Sequence, residues 1–331
     1  MDLINRHRRL RVNQVVRDMV AETTLTPKQL IVPLFIVGDH ETDLVIPSMP
    51  GYSRVQIGSI EKHIEGLAKL GLRSVLLFVK VDNDLKDNTG KEAVNPKGLM
   101  QQAIRKIKAF DPEMIVMTDV ALDPFSSYGH DGIVKDQQIV NDATVEVLAR
   151  MSVTHAEAGA DLIAPSDMMD GRVKAIRIAL DEKGFTNVGI LAYSAKYASG
   201  YYGPFRDALD SAPGFGDKKT YQMDFRNSTE AVKEALTDVN EGADIVMVKP
   251  AGPYLDIIYR VKQAVNVPVA AYQVSGEFAQ IKAAAEKGWL NEQSAMIESL
   301  IAIRRAGADI IATYFAREFA QLYNQNFQKQ I

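Results

Sequence analysis

Short runs that are apolar at nearly every position recur along the chain, separated by longer stretches in which apolar residues return every three to four positions. Eight such runs stand out, at 30–36, 74–79, 114–119, 161–164, 188–193, 244–249, 267–272 and 309–313. A strand buried on both faces reads as a continuous apolar run, whereas an amphipathic helix reads with a period of 3.6. The helical period fills most of the gaps. Strand and helix alternating to a count of eight predict an α/β fold of the (β/α)8 TIM-barrel kind. An open doubly wound sheet is the competing arrangement. It calls for a Gly-rich phosphate loop after the first strand, and LIVPLFIVGDHETD contains no GxGxxG.

One phrase repeats: AGAD-LIAP at 158–165, EGAD-IVMVKP at 241–250 and AGAD-IIATY at 306–314. Each closes a helical stretch and opens an apolar run. In the stretch after Asn227, residues Val232, Ala235, Leu236 and Val239 share one face. Asn227, with Glu230 three positions on, predicts the N-terminal cap, and Gly242 predicts the left-handed residue that ends the helix. The barrel domain is expected over 28–331, with no linker inside it, and residues 1–27 form an N-terminal arm. The arm carries Arg6, Arg8, Arg9, Arg11 and Arg17 and is expected to pack on a neighbouring subunit, the alternative being a solvated arm.

Composition narrows the chemistry. The 331 residues suit a barrel of roughly 250 residues with additions. Hydrophobic residues make up 47% and charged residues 24%, an ordinary globular balance. The net charge of −4 gives no reason to expect nucleic acid as a partner. There is no cysteine, which excludes disulfides, thiolate zinc sites and cysteine nucleophiles together. No apolar segment follows the charged start, and no run is long enough to span a bilayer, so a cytoplasmic location is expected, with no membrane partner.

In a (β/α)8 barrel the catalytic groups come from the C-terminal ends of strands. Those ends carry Asp119, Lys196, Lys249, Ser275 and Tyr314, all expected to face one mouth. Two lysines on neighbouring strands are the informative pair. Burial and a second ammonium nearby both disfavour the charged form. A neutral amine attacks a carbonyl to form an imine, and two such amines suggest two carbonyls or two activation steps. The bland alternative is that each lysine snorkels outward or pairs with a carboxylate. Lys80 sits in an Asp-rich stretch and reads as a solvated loop lysine. The segment at 196–224 is too long for a simple connection and reads as a lid, with Arg206, Lys218 and Lys219 as candidates to meet a carboxylate.

The stretches PSDMMDGRVKAIR, YSAKYASGYYGPFRDAL, GDKKTYQMD, MVKPAGPYLDII, AYQVSGEF and TYFA closely resemble the porphobilinogen synthase (5-aminolevulinate dehydratase) family, over nearly the whole chain. The resemblance implies a lyase that joins two 5-aminolevulinate molecules into porphobilinogen with loss of water, in tetrapyrrole biosynthesis, with no organic cofactor. By the same match, Lys249 binds the first substrate and Lys196 the second. Ser275 and Tyr314 hold the first carboxylate, Arg206 and Lys218 the second, and Asp119 assists proton transfer.

Many members of the family place three cysteines in the loop after the third strand to bind zinc. Here those positions are Ala121, Asp123 and Asp131, with His130 beside them. Carboxylates are hard donors that favour Mg2+ or a monovalent ion over zinc, so a catalytic zinc is not expected. The other role open to Asp123 and Asp131 is to orient amines or water. The resemblance also implies an allosteric Mg2+ at Glu234 and a homo-octamer whose assembly the metal favours. Two rival readings are a class I aldolase acting on sugar phosphates, which needs one lysine and a phosphate site, and an inactive scaffold, in which a lysine would be lost.

Overall fold

The structure, a computed structural model, describes residues 4–211 and 214–328, the last three by backbone alone. Residues 1–3 of the expected arm, 212–213 of the expected lid and 329–331 of the expected barrel domain lie outside these.

Eight parallel strands form the barrel: β1 (Leu30–Val37), β2 (Ser74–Val79), β3 (Ile115–Val120), β4 (Leu162–Pro165), β5 (Gly189–Lys196), β6 (Ile245–Lys249), β7 (Val269–Gln273) and β8 (Ile310–Thr313). Each pairs with its neighbours in chain order, and β8 pairs with β1 to close the ring. The predicted runs and the observed strands agree to within a few residues. A short strand at Val55–Gln56 adds to the end of β1, and an antiparallel hairpin joins Val134–Lys135 to Gln138–Ile139.

The helices are α1 (Gln14–Met19), α2 (Ile60–Lys69), α3 (Leu99–Phe110), α4 (Asn141–Ala158), α5 (Arg172–Glu182), α6 (Gly203–Leu209), α7 (Thr229–Glu241), α8 (Leu255–Ala264), α9 (Ser275–Glu286), α10 (Glu292–Ala306) and α11 (Ala316–Gln328). Two helices, α6 and α7, follow β5 where most strands are followed by one. In the arm, the turn at His7–Arg11 and α1 bury no residue. Among the described residues, no helix is long and apolar enough to cross a membrane.

The repeated Gly-Ala-Asp phrase has a physical reason. Gly159, Gly242 and Gly307 follow α4, α7 and α10 at φ 105°, 108° and 121°, where a side chain is strained. The alanines that follow, Ala160, Ala243 and Ala308, are buried. The aspartates then pin the neighbouring strand. Asp161 accepts the Val116 N–H of β3 at 2.8 Å, Asp244 the Ile190 N–H of β5 at 2.8 Å, and Asp309 the Val269 N–H of β7 at 2.9 Å.

Three local expectations need correction. The N-cap of α7 is Ser228, and the Asn227 side chain instead donates to Glu230 at 2.9 Å. The buried face of α7 is Ala231, Ala235 and Asp238, while Leu236 is exposed. The helix is rotated because Asp238 is drawn inward by the buried Arg172, at 3.2 Å. Lys80 is not freely solvated, since its ammonium meets the Glu41 carboxylate at 2.6 Å.

Candidate active site

The strand register brings the two lysines together. Lys196 ends β5, Lys249 ends β6, and the two are paired residues in the sheet. Both are buried. Their surroundings differ, and the difference is chemical.

Lys196 is ion-paired. Its ammonium donates to Asp131 at 3.0 Å and to the Ser166 carbonyl at the end of β4. Asp131 also takes Lys218 at 2.5 Å, and Lys218 reaches Asp123 at 3.4 Å. The result is a buried alternation of two carboxylates and two ammonium groups. Burial opposes the charge on Asp131, but Lys196 and Lys218 outweigh it and hold the carboxyl down at about 2. Burial likewise opposes the charge on Lys218, and Asp123 and Asp131 outweigh it, so its pKa is raised.

Lys249 makes no such pair. Its ammonium nitrogen lies among four aromatic rings, 4.6 Å from the centre of Tyr272, 4.9 Å from Phe205, 5.0 Å from Tyr193 and 5.3 Å from Tyr202. Burial, then the charge of Lys196, pull its pKa down to about 7, against the attraction of Asp119, Asp123 and Asp131. A lysine so shifted holds an appreciable share of neutral amine near pH 7. Asp119, on β3, is pushed up by burial and by Asp123, against the two lysines. One of its carboxylate oxygens is buried without a partner. A carboxyl that exchanges its proton near neutrality beside a nucleophilic amine is suited to acid–base work.

Asp119, Asp123, Lys196, Arg206, Lys218 and Lys249 border one narrow space of about 30 Å³, covered by Tyr202 and Phe205 at the start of the 196–224 segment. Ser275 and Tyr314 are not among the residues that line this space. Packed rings intervene: the Tyr314 hydroxyl pairs with that of Tyr272 at 2.9 Å, and it is the Tyr272 ring that faces Lys249. Ser275 begins α9 directly after β7, and its hydroxyl is buried with no hydrogen-bond partner. A buried hydroxyl left open is uncommon in a folded protein, and this one is free to meet a polar group. Lys219 is exposed and pairs with Asp217 at 3.1 Å.

The geometry bears on metals as follows. The donors available to an ion in the loop after β3 are Asp123 and Asp131, and both face lysines. Ala121 offers no ligand. His130 is engaged at both ring nitrogens, by the Tyr221 hydroxyl and the Phe215 carbonyl, each at 3.0 Å. These residues do not fit a resident metal. Glu234, on α7, is different. It is half-buried on the wall of a cavity of about 1030 Å³, with Asp170, Asp224, Glu230 and Asn141 also on its walls. Burial and the charges of Asp238, Asp170 and Glu230 raise its pKa, against Arg172. A hydrated cation, which needs few direct protein ligands, would relieve that crowding, although among the described residues no group of three or more His, Cys, Asp or Glu is arranged to hold a metal ion.

The aromatic rings around Lys249 escaped the sequence reading, as did the Ser166 carbonyl. The one available signal was that Tyr193 and Tyr272 interrupt otherwise aliphatic strand runs.

The site defines a (β/α)8-barrel enzyme with paired lysines at adjacent strand ends. Comparisons with known proteins then give the family. The model of the family "Delta-aminolevulinic acid dehydratase" matches residues 4–322. The chain is 52% identical over 322 residues to the delta-aminolevulinic acid dehydratase of Bradyrhizobium diazoefficiens, covering 97% of this chain and 91% of that one. It is 47% identical over 317 residues to that of Bacillus subtilis, covering 96% and 97%. A crystal structure of delta-aminolevulinic acid dehydratase (porphobilinogen synthase) from Toxoplasma gondii, in complex with the reaction product porphobilinogen, superposes with a TM-score of 0.94 at 51% identity, covering 96% of this chain and 91% of that chain. The chain belongs to the delta-aminolevulinic acid dehydratase family, whose activity is that of a lyase.

Proposed function

We propose that this chain condenses two 5-aminolevulinate molecules into porphobilinogen, and that it does so through imines on Lys249 and Lys196. The observation that carries the reading is the contrast between the two amines: Lys249 is unpaired with a pKa near 7, and its sheet partner Lys196 is held by Asp131.

Lys249 attacks the ketone of the first substrate and water leaves as the imine forms. Ser275 and Tyr314 receive that substrate's carboxylate, which orients the reacting carbons before bond formation. Lys196 then takes the second ketone, with Asp131 setting the direction of its amine and Asp119 moving the proton. The protonated imine withdraws electrons, so the adjacent C–H becomes acidic enough for carbon–carbon bond formation. Attack by a substrate amine releases the enzyme lysine and closes the ring. Arg206 and Lys218 are assigned to the second carboxylate, and for Lys218 this means exchanging Asp131 for the substrate. A free space of about 30 Å³ is too small for two such substrates, so the Tyr202 and Phe205 side chains that cover it are assigned to give way as substrate enters and to exclude water afterwards.

Glu234 is assigned to a hydrated Mg2+ outside the reaction centre. When bound, the ion supplies positive charge to an acidic wall and favours an assembled homo-octamer, in which residues 1–27 pack on a neighbouring subunit. A class I aldolase reading is weaker, because two buried lysines stand at the site and Arg206, which also borders it, is assigned to a carboxylate.

The test is borohydride reduction in the presence of 5-aminolevulinate, followed by peptide mass mapping. Adducts are expected on Lys249 and Lys196, and Lys249→Met is expected to stay folded without forming the pyrrole. A folded wild-type protein with no adduct on either lysine would overturn the reading.

A further inference from the structure

Arg54 is a buried arginine whose hydrogen bonds all go to backbone carbonyls. It stands just before the short strand Val55–Gln56, which is paired to the end of β1, so its backbone is fixed to the barrel wall. From there the guanidinium spans two separate segments. Nη1 donates to the carbonyls of Asp43 at 2.7 Å and Val45 at 3.2 Å, within the loop that follows β1. Nε donates to the Ala208 carbonyl and Nη2 to the Asp207 carbonyl, both at 2.8 Å, at the C-terminal end of α6. The nearest carboxylate, Asp43, is largely exposed and 3.6 Å away.

The last carbonyls of a helix have no partner within it and carry partial negative charge. Asp210 leaves α6 in the left-handed conformation, and its N–H returns to the Arg206 carbonyl. The carbonyls of Asp207 and Ala208 are therefore left to Arg54. A planar five-donor fork can meet two segments at once, which a single ammonium cannot. At its other end α6 is tied to the barrel by the Tyr202 hydroxyl, which donates to the Lys249 carbonyl at 3.3 Å. Gly276 lies under the same end, where a Cβ would come within 2.5 Å of the Tyr201 carbonyl oxygen. Between these two fastenings α6 presents Phe205 to the Lys249 amine and Arg206 to the cavity.

We infer that Arg54 is a positioning residue for the reaction: it clasps the C-terminal end of α6 to the loop after β1 and so holds Phe205 and Arg206 over the paired lysines. The inference rests on the reading of the site given above. Arg54 touches no substrate, so its effect passes through α6. Losing the clasp leaves the lysines in place but loosens the groups that receive the second substrate.

The experiment compares wild type with Arg54→Ala in steady-state kinetics on 5-aminolevulinate and in amide hydrogen exchange. In the alanine variant KM is expected to rise about tenfold or more, with kcat changed less, since misplacing a binding group weakens capture. Exchange is expected to accelerate about tenfold across 203–209 while the eight strands keep their protection. Millimolar guanidinium ion is expected to restore KM and protection in part, which a general packing defect would not allow. Wild-type KM and wild-type exchange at α6 overturn the inference. So does acceleration spread equally over the strands, because that marks a role in overall stability alone. Where Arg54→Ala does not fold, Arg54→Lys carries the test, and an unchanged KM in that variant overturns it. Failure of the underlying reading is distinct: wild type itself then gives no borohydride adduct.

Discussion

At the scale of single residues, the two lysines owe their difference to what stands beside each. Lys249 has rings and a like charge for neighbours, and Lys196 has Asp131. A lysine whose pKa is lowered to about 7 exists mostly as ammonium below that pH and mostly as amine above it. The rate of imine trapping at Lys249 is therefore expected to rise with pH through about 7 and level off above it. Replacing Lys196 by Met removes the second-largest cause of the shift, so the midpoint of that profile should move to higher pH. A midpoint that stays put would assign the shift to burial alone. Lys196, Lys249 and Asp119 were legible in the sequence because a charged residue closing an apolar run is conspicuous. The rings around Lys249 were not, since an aromatic residue in an apolar run looks like core. Nor could sequence tell that the charge of Lys218 is met by Asp123 and Asp131, contacts that span 95 and 87 residues.

At the scale of elements, the Gly-Ala-Asp phrase shows how a repeated sequence builds a closed sheet. Its glycine ends a helix, its alanine packs, and its aspartate takes the first free N–H of the strand next door. Asp309 does this for Val269 and also meets Lys262 at 2.6 Å. Asp309→Ala removes the acceptor from both, with an expected loss of about 1.5–3 kcal/mol, the usual size for a hydrogen bond to a charged group. Urea unfolding measures it, and a midpoint equal to wild type would show that water replaces the carboxylate without cost. All eight barrel strands were legible because a strand buried on both faces leaves an unbroken apolar run. The face of α7 was misread for a related reason. Periodicity finds apolar stripes, but the inward residue here is Asp238, buried because Arg172 reaches it from a distant helix. A pair of opposite charges that hide each other across 66 residues has no local signature.

At the scale of the whole molecule, the arm and Glu234 belong to one argument. The arm leaves Ile4, Val15 and Met19 more than three-quarters or about three-quarters exposed, at 83%, 77% and 75%. Apolar residues on a turn and helix that bury nothing are costly to leave in water, and on the reading proposed a neighbouring subunit covers them. Burial, then the charges of Asp238, Asp170 and Glu230, raise the pKa of Glu234 against Arg172, and on the reading proposed a divalent cation relieves that cost. If the ion and the covered arm both belong to the assembled form, mass action links them: a ligand that binds only the assembly shifts the population toward it. Adding Mg2+ is then expected to increase both the sedimentation coefficient and the specific activity along one titration curve. Glu234→Ala should lose both responses together while retaining the borohydride adduct on Lys249, because the carboxylate lies outside the reaction centre. Activity that rises with Mg2+ while size stays constant would separate the metal from assembly and place its effect within a single subunit.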